Sequence, residues 1–258
     1  MSAPGKVSIT EVLVDRPGQV AALNAGLDSV HCDITAITDD DAAPRSHWIA
    51  RMLEHFVDPS VAAVGGRDVV MGSEDAPHPR VGIVQWHGRT IGNHHRGTGP
   101  VRQVDVLKGA NMAFRTAWLR RFGFDDRLRG SGAQVHNDLM ICLRVRHAGG
   151  LILYDPDVTV DHYPAHRPAG DDRTHATFAA VSDAVHNETL ALMEFLPAWR
   201  RSLWLTWAVL LGLRRSPGLG VSVALLPRQR RDGLRTLGAC WRGRAAGVLT
   251  WRATRERL

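Results

Sequence analysis

A chain of 258 residues, 44% apolar and 22% charged, is long enough for one large domain and too apolar to be disordered throughout. Its net charge of +6 hides an asymmetry: residues 197–258 hold 13 arginines against Asp232 and Glu256, or +11, which leaves −5 on residues 1–196. The widely separated Cys32, Cys142 and Cys240 exclude a disulfide framework and a Cys-x-x-Cys metal site, and they fit a reducing, cytoplasmic setting.

The opening "MSAPGKVSITEVLV" lacks the apolar core of a secretory signal, and no run of ~20 apolar residues encodes a simple transmembrane helix. "VSITEVLV" (7–14) is β-branched and predicts a strand. "PGQVAALNAGLDSV" spaces Val20, Ala21, Leu23, Ala25 and Leu27 for a helix packed on a sheet. "DITAIT" is a second strand, with Asp39, Asp40 and Asp41 at its carboxyl end. "RSHWIARMLEHFVD" aligns Trp48, Ile49, Met52, Leu53 and Phe56 on one helical face, behind Pro44 and Ser46. "VAAVGGRDVV" is another strand. This alternation predicts an α/β fold with a mostly parallel sheet, in which ligands bind at the carboxyl ends of the strands.

Residues 72–104 ("HGRTIGNHHRGTGP") read as loops with short strands. Helices are expected in "RTAWLRRFG" and "NDLMICLRVRHAG", a late strand pair in "LILYDPDVTVDH", and a further helix over 176–196. Beyond it, "RRSLWLTWAVLLGLRRSPGLGVSVALLPRQRR" brackets an apolar stretch with arginine pairs, and five of the eight tryptophans fall between 199 and 251. That stretch is too short and too charged to span a bilayer.

Two carboxylates at i and i+2 on an extended or turning segment point to one side. Asp39 and Asp41 are therefore placed to share a hard divalent cation, Mg²⁺ or Mn²⁺, together with a phosphate, while Asp40 turns away. A solvated acidic turn capping the next helix would produce the same triplet. His87, His94 and His95 lack a closed tetrahedral ligand set, so a glycine-rich loop suits them better than zinc.

In order along residues 17–167 stand "GQVAALNAGL", the Asp-x-Asp strand end, "DPSVAAVGG", "KGANMAFR", "FDDRL", an acidic position at Asp138 and "GGLILYDPDVTVDH". Together they resemble an inverting family 2 glycosyltransferase of the GT-A fold, a Rossmann-like sheet flanked by helices. The resemblance implies that Asp39 and Asp41 bind the cation on a nucleotide-sugar diphosphate, offsetting charge on the leaving group. It implies that Asp138 is the general base that takes the acceptor hydroxyl's proton during one inverting displacement. The family usually has Glu-Asp where this chain has Asn137-Asp138. His162 matches a histidine that completes the metal site or touches the diphosphate, or it is a hydrogen-bonded histidine at a strand end. Arg167 either grips phosphate oxygens or is a surface arginine. Lys108, Gly109, Ala110 and Asn111 look like the family's loop beside donor and acceptor, with Gly109 allowing close backbone approach and Asn111 bonding a sugar hydroxyl, or like a glycine-mediated turn.

Relatives usually open with a strand–helix–strand unit of at least ~30 residues that holds the nucleotide, and here "GQVAALNAGL" begins already at residue 18. The N-terminal part of that unit is expected to be lacking, with weak donor binding as the consequence. Two parts follow, a catalytic domain over 1–196 and an amphipathic Arg/Trp-rich helical region over 197–258. The latter suits a membrane surface better than nucleic acid, and packing on the catalytic body is the other reading. The expected activity is metal-dependent sugar transfer at the inner face of the cell membrane, to a cell-envelope polysaccharide or lipid-linked glycan. A catalytically silent module docking on a membrane or partner subunit is the alternative. A haloacid-type phosphatase is set aside: Ala43 stands at the fifth position of its motif.

Overall fold

A computed structural model describes residues 8–72, 75–130, 132–163 and 177–256. The first half runs α1 (Gln19–Asp28), β1 (Ile34–Ile37), β2 (Ala42–Pro44), α2 (Trp48–His55) and β3 (Val61–Val70), then the short β4 (Ile83–Val84), β5 (Thr90–Ile91) and β6 (Arg102–Gln103). The second half runs β7 (Met112–Arg115), α3 (Thr116–Phe122), α4 (Asn137–His147), β8 (Leu151–His162), α5 (Phe178–Phe195), α6 (Ala198–Leu210) and α7 (Leu219–Arg255). The expected strand at 7–14 is not formed by residues 8–14: Ile9 and Leu13 are 90% and 86% exposed. A strand needs a neighbour for its backbone groups, and no paired neighbour stands beside this stretch among the described residues. The expected late strand pair is a single strand, β8.

The main sheet has the order β1-β7-β3-β8-β2, with β6 on the amino-terminal half of β8. The α/β architecture with flanking helices is as expected, but the strand directions are more mixed. β1, β3 and β8 run the same way, and β7 is inserted between β1 and β3 antiparallel to both. β2 and β6 also run against β8, so only β3–β8 is a parallel pair. β1 is followed by a tight turn into β2 rather than by a crossover helix, which turns the chain back at once.

Period-2 alternation divides the sheet between two cores. Ala63, Met112, Phe114, Ile152 and Tyr154 face a core shared with Val20, Leu119, Leu139, Ile141 and Leu190. Val61, Val64, Ala113, Val158 and Val160 face the other way, onto Trp48, Met52 and Phe56 of α2. The i, i+4, i+8 row of α2 is buried, whereas Ile49 and Leu53, expected on the same face, point away at 62% and 46% exposure. α2 is pinned further by Asp155, whose buried carboxylate accepts from Arg51 Nε at 2.8 Å and meets His55 Nε2 at 2.6 Å. Burial alone would raise the Asp155 pKa, but hydrogen bonds from the Asp157 amide and His55, with the Arg51 charge, hold it below the ordinary value.

The carboxy-terminal helices pack on the body. Trp204 of α6 is buried against Gly88, and Arg200 donates to the carbonyls of Trp86 and Gln85 at 2.8 and 2.7 Å. α7 lies along α5, where Gly243 and Gly247 come so close that an added Cβ would stand 2.4 Å from Ser182 O and 2.8 Å from His186 O. Arg127, paired with Asp125 inside the "FDDRL" loop, ties that loop to Glu194 of α5 and Thr254 of α7. No helix among the described residues is long and apolar enough to cross a membrane.

Candidate functional site

The direction of the strands decides where chemistry gathers. β1, β3 and β8 all end at one edge of the sheet, and the antiparallel β7 and β2 begin there. Asp39 and Asp41 follow β1, Asp68 lies near the end of β3, His162 ends β8, and Lys108 and Gly109 precede β7. Residues distant in sequence thus meet at the carboxyl edge, the usual ligand position of such sheets.

A turn closed by Ala42 N donating to Asp39 O at 3.2 Å presents Asp39 and Asp41, while Asp40 is exposed. Oxygens of Asp39 and Asp41 and a ring nitrogen of His162 all lie within 4.8 Å of one another, as a shared metal ion requires. Two carboxylates and one imidazole form a donor set able to hold a divalent metal ion. His162 is buried, with Nε2 3.1 Å from Asp41 Oδ1 and Nδ1 2.9 Å from Asp68 Oδ1. Asp68 is wholly buried, and its other oxygen pairs with the Lys108 ammonium.

Asp68 was not among the residues expected from the sequence. The signal was present: "RD" interrupts an apolar β-strand, and a buried charge inside a strand requires a partner. That partner is Lys108, which the resemblance places beside donor and acceptor and which the structure turns onto Asp68. Asn111 was expected to bond a sugar hydroxyl. Its amide is fully buried, donating to Arg67 O and Val158 O at 3.0 and 2.9 Å and accepting from Trp48 Nε1 at 2.8 Å. These bonds engage it with the protein itself, so Asn111 cross-links β3, β8 and α2 beneath the site. Gly109 is partly exposed, and among the described residues no atom beyond its chain neighbours stands within 4 Å of where its Cβ would be. Arg167 lies outside the described residues.

Asp138 stands in the first turn of α4 and is partly exposed, with Oδ1 accepting from Leu139 N at 2.8 Å. α4 runs back along the segment that leads to Lys108. Near its end, Arg146 donates to Val104 O at 3.0 Å, while Val104 N bonds Ile152 O at the start of β8. One turn earlier in α4, Cys142 Sγ accepts from Leu107 N at 3.4 Å. Another turn earlier on the same helix comes Asp138. The Asp138 charge also reaches buried His94, favouring its protonated form, but burial dominates and lowers the His94 pKa. Nε2 of His94 lies 2.9 Å from Val106 O.

The three clustered histidines have separate partners. His94 contacts Val106, His95 lies 3.3 Å from Asp75, and His87 stands between Trp86 and Trp207. Asn137 is buried, its amide donating to Gln19 Oε1, Ala133 O and Gln134 O. A cavity of about 510 Å³ between Arg16, Val20, Arg129 and Asp183 touches Gln134 in the loop before α4 and includes none of the expected site residues.

Residues 2–180 match the family model described as glycosyltransferase like family 2. The pre-mycofactocin glycosyltransferase of Mycobacterium tuberculosis is 30% identical over 145 residues, which are 56% of this chain and 30% of that protein. The match therefore spans less than a third of the curated relative's length. Among solved structures, S. aureus TarS 1-349 in complex with UDP-GlcNAc aligns over 97% of this chain and 74% of its own, at a TM-score of 0.53 and 12% identity. At that identity the likeness concerns the fold alone, and it is the GT-A arrangement.

Proposed function

The chain belongs to glycosyltransferase family 2, and we propose that it transfers a sugar, with inversion, from a nucleoside-diphosphate donor to an acceptor hydroxyl. The observation that carries this reading is the convergence of Asp39, Asp41 and His162 within 4.8 Å at the carboxyl edge of the sheet. Asp39, Asp41 and His162 would hold Mg²⁺ or Mn²⁺. Such an ion, when bound, supplies positive charge against the diphosphate leaving group. Among the described residues nothing crowds Gly109, whose missing side chain lets the donor or acceptor approach the backbone.

Asp138 acts as the general base. It has no covalent task, because one displacement from the face opposite the leaving group inverts the anomeric carbon. The acceptor O–H bond breaks as the new C–O bond forms, and the proton passes to Asp138. The carboxylate is held for this by the Leu139 amide and by α4, whose Cys142 is fastened to Leu107 in the segment leading to Lys108. The acceptor class is a cell-envelope glycan or lipid-linked glycan, reached from the membrane surface. In support of that location, Trp199, Leu210, Leu211, Trp241 and Leu249 remain exposed on the arginine-rich α6 and α7.

The test is turnover of UDP- and GDP-sugars by the full chain with and without Mn²⁺. Release of nucleoside diphosphate is expected to require the ion and to fall ~10²–10⁴-fold in Asp138→Asn, the usual span for losing a general base. Metal-independent turnover removes the Asp-Asp-His assignment. Undiminished turnover in the variant removes Asp138 as the base.

A further inference from the structure

The three groups within reach of one ion do not exhaust what is organised there. Behind His162, on the side away from Asp41, stands Asp68, with no exposed surface, and behind Asp68 stands Lys108. We propose that Asp68 is a positioning residue for the metal site: it holds His162 Nδ1 so that Nε2 faces Asp39 and Asp41, and Lys108 balances the buried charge that this requires. The inference rests on the metal reading given above.

A histidine binds a metal ion through a nitrogen lone pair, so its ring proton must sit on the other nitrogen. A carboxylate only accepts hydrogen bonds, so Asp68 Oδ1, 2.9 Å from Nδ1, keeps the ring proton on Nδ1 when an ion takes the lone pair of Nε2. Nε2 is the nitrogen 3.1 Å from Asp41 Oδ1. The backbone fixes both partners before any ion arrives. Asp68 and His162 lie on the hydrogen-bonded parallel pair β3–β8, in a register that sets Asp68 beside Val160 and Val70 beside His162. Asn111 clamps the same two strands through Arg67 O and Val158 O.

An isolated buried carboxylate would be strongly unfavourable, and the Lys108 ammonium, itself partly exposed, compensates it. This explains why a lysine in the loop before β7 turns inward at a site that must also receive a phosphate-bearing ligand. It also separates two roles that a simple deletion would confuse, since Asp68→Asn alone leaves Lys108 facing a neutral amide. The pair Asp68→Asn with Lys108→Met removes both charges together and keeps similar volumes.

The experiment is Mn²⁺ titration followed by the electron paramagnetic resonance of the free ion, with thermal melting of each variant. It uses the full chain and the metal alone, so it is independent of turnover. Wild type is expected to bind. Asp68→Asn and the double variant are expected to bind ~10–100-fold more weakly, the usual cost of losing such a partner, with the double variant melting closer to wild type than Asp68→Asn does. Adding His162→Ala to the double variant is expected to weaken binding no further than His162→Ala alone, because Asp68 acts through that ring. Binding within twofold of wild type in a cooperatively melting double variant overturns the role of Asp68 while leaving the metal site standing. Absence of Mn²⁺ binding by wild type overturns the metal reading and this inference with it.

Discussion

Asn137 shows how a single side chain can be fixed by its surroundings rather than by chemistry. The family's usual glutamate at this position would carry a second carboxylate beside Asp138, the proposed base. Here the position is buried and its neighbours Ala133 O and Gln134 O are backbone carbonyls, which cannot rotate to become donors. The two hydrogens of the amide are shared among these carbonyls and Gln19 Oε1, which ties the start of α4 to α1. Asn137→Glu would set a carboxylate against those acceptors without a donor in return. It is expected to destabilise the chain by ~2 kcal/mol, because buried polar groups left unpaired cost about that much. For a domain of this size that corresponds to a drop of roughly 4–8 °C in melting temperature. A melting temperature equal to or above wild type would show that the position tolerates the family residue and that the amide's bonds carry little weight.

At the scale of elements, α7 is held by closeness more than by side chains. Gly243 and Gly247 lie one turn apart and let its backbone approach α5 at Ser182, His186 and Thr189. In an exposed helix, Gly→Ala gains ~1 kcal/mol from helix propensity. At Gly243 the new methyl would stand 2.4 Å from Ser182 O and 2.9 Å from Val185 Cβ, so the helices must separate, which costs ~1–3 kcal/mol. Gly243→Ala is therefore expected to lower the denaturation midpoint, whereas Gly238→Ala, where nothing stands within 4 Å, is expected to raise it or leave it unchanged. Equal effects at both positions would contradict close packing of α7 on α5. The same elements show what the sequence conveys and where it stops. α2 was readable from the spacing of its apolar residues, α4 and α5 from long apolar-rich runs that the structure buries almost all round, and β1, β3 and β8 because they are β-branched runs. The direction of β7, the brief β2 and the absence of a strand over 8–14 were not, since pairing depends on neighbours that sequence spacing does not specify. For the site, the aspartates after β1 stood out as an acidic cluster. Asp68 did not, because its importance comes from the register of β3 on β8, which brings it to His162 across 94 residues of chain.

For the molecule as a whole, charge is distributed along the chain in a way that the fold preserves. The carboxy-terminal 62 residues carry +11 against −5 for the rest, and in the structure they form helices over the body rather than a separate arm. α7 presents Trp241, Ala245, Val248 and Leu249 along one side, and with Leu205 and Val209 of α6 they line an apolar groove of about 410 Å³. Arg242 and Arg252 are exposed close by on α7. Tryptophan and leucine beside exposed arginines favour the interface of an anionic bilayer, where each basic residue adds ~1 kcal/mol by attraction to the head groups. The full chain is therefore expected to float with vesicles containing phosphatidylglycerol and to stay in solution with purely zwitterionic vesicles. Arg242→Gln with Arg252→Gln should cost ~2 kcal/mol, a roughly 30-fold fall in partition. Raising salt from 0.1 to 1 M, which shortens the screening length from ~10 to ~3 Å, should weaken binding further. Trp241→Ala should weaken it at every salt concentration, because the apolar contribution is not screened. Flotation that depends on neither the arginines nor the salt would sink the electrostatic part of the proposal, and flotation unchanged by Trp241→Ala would sink the apolar part.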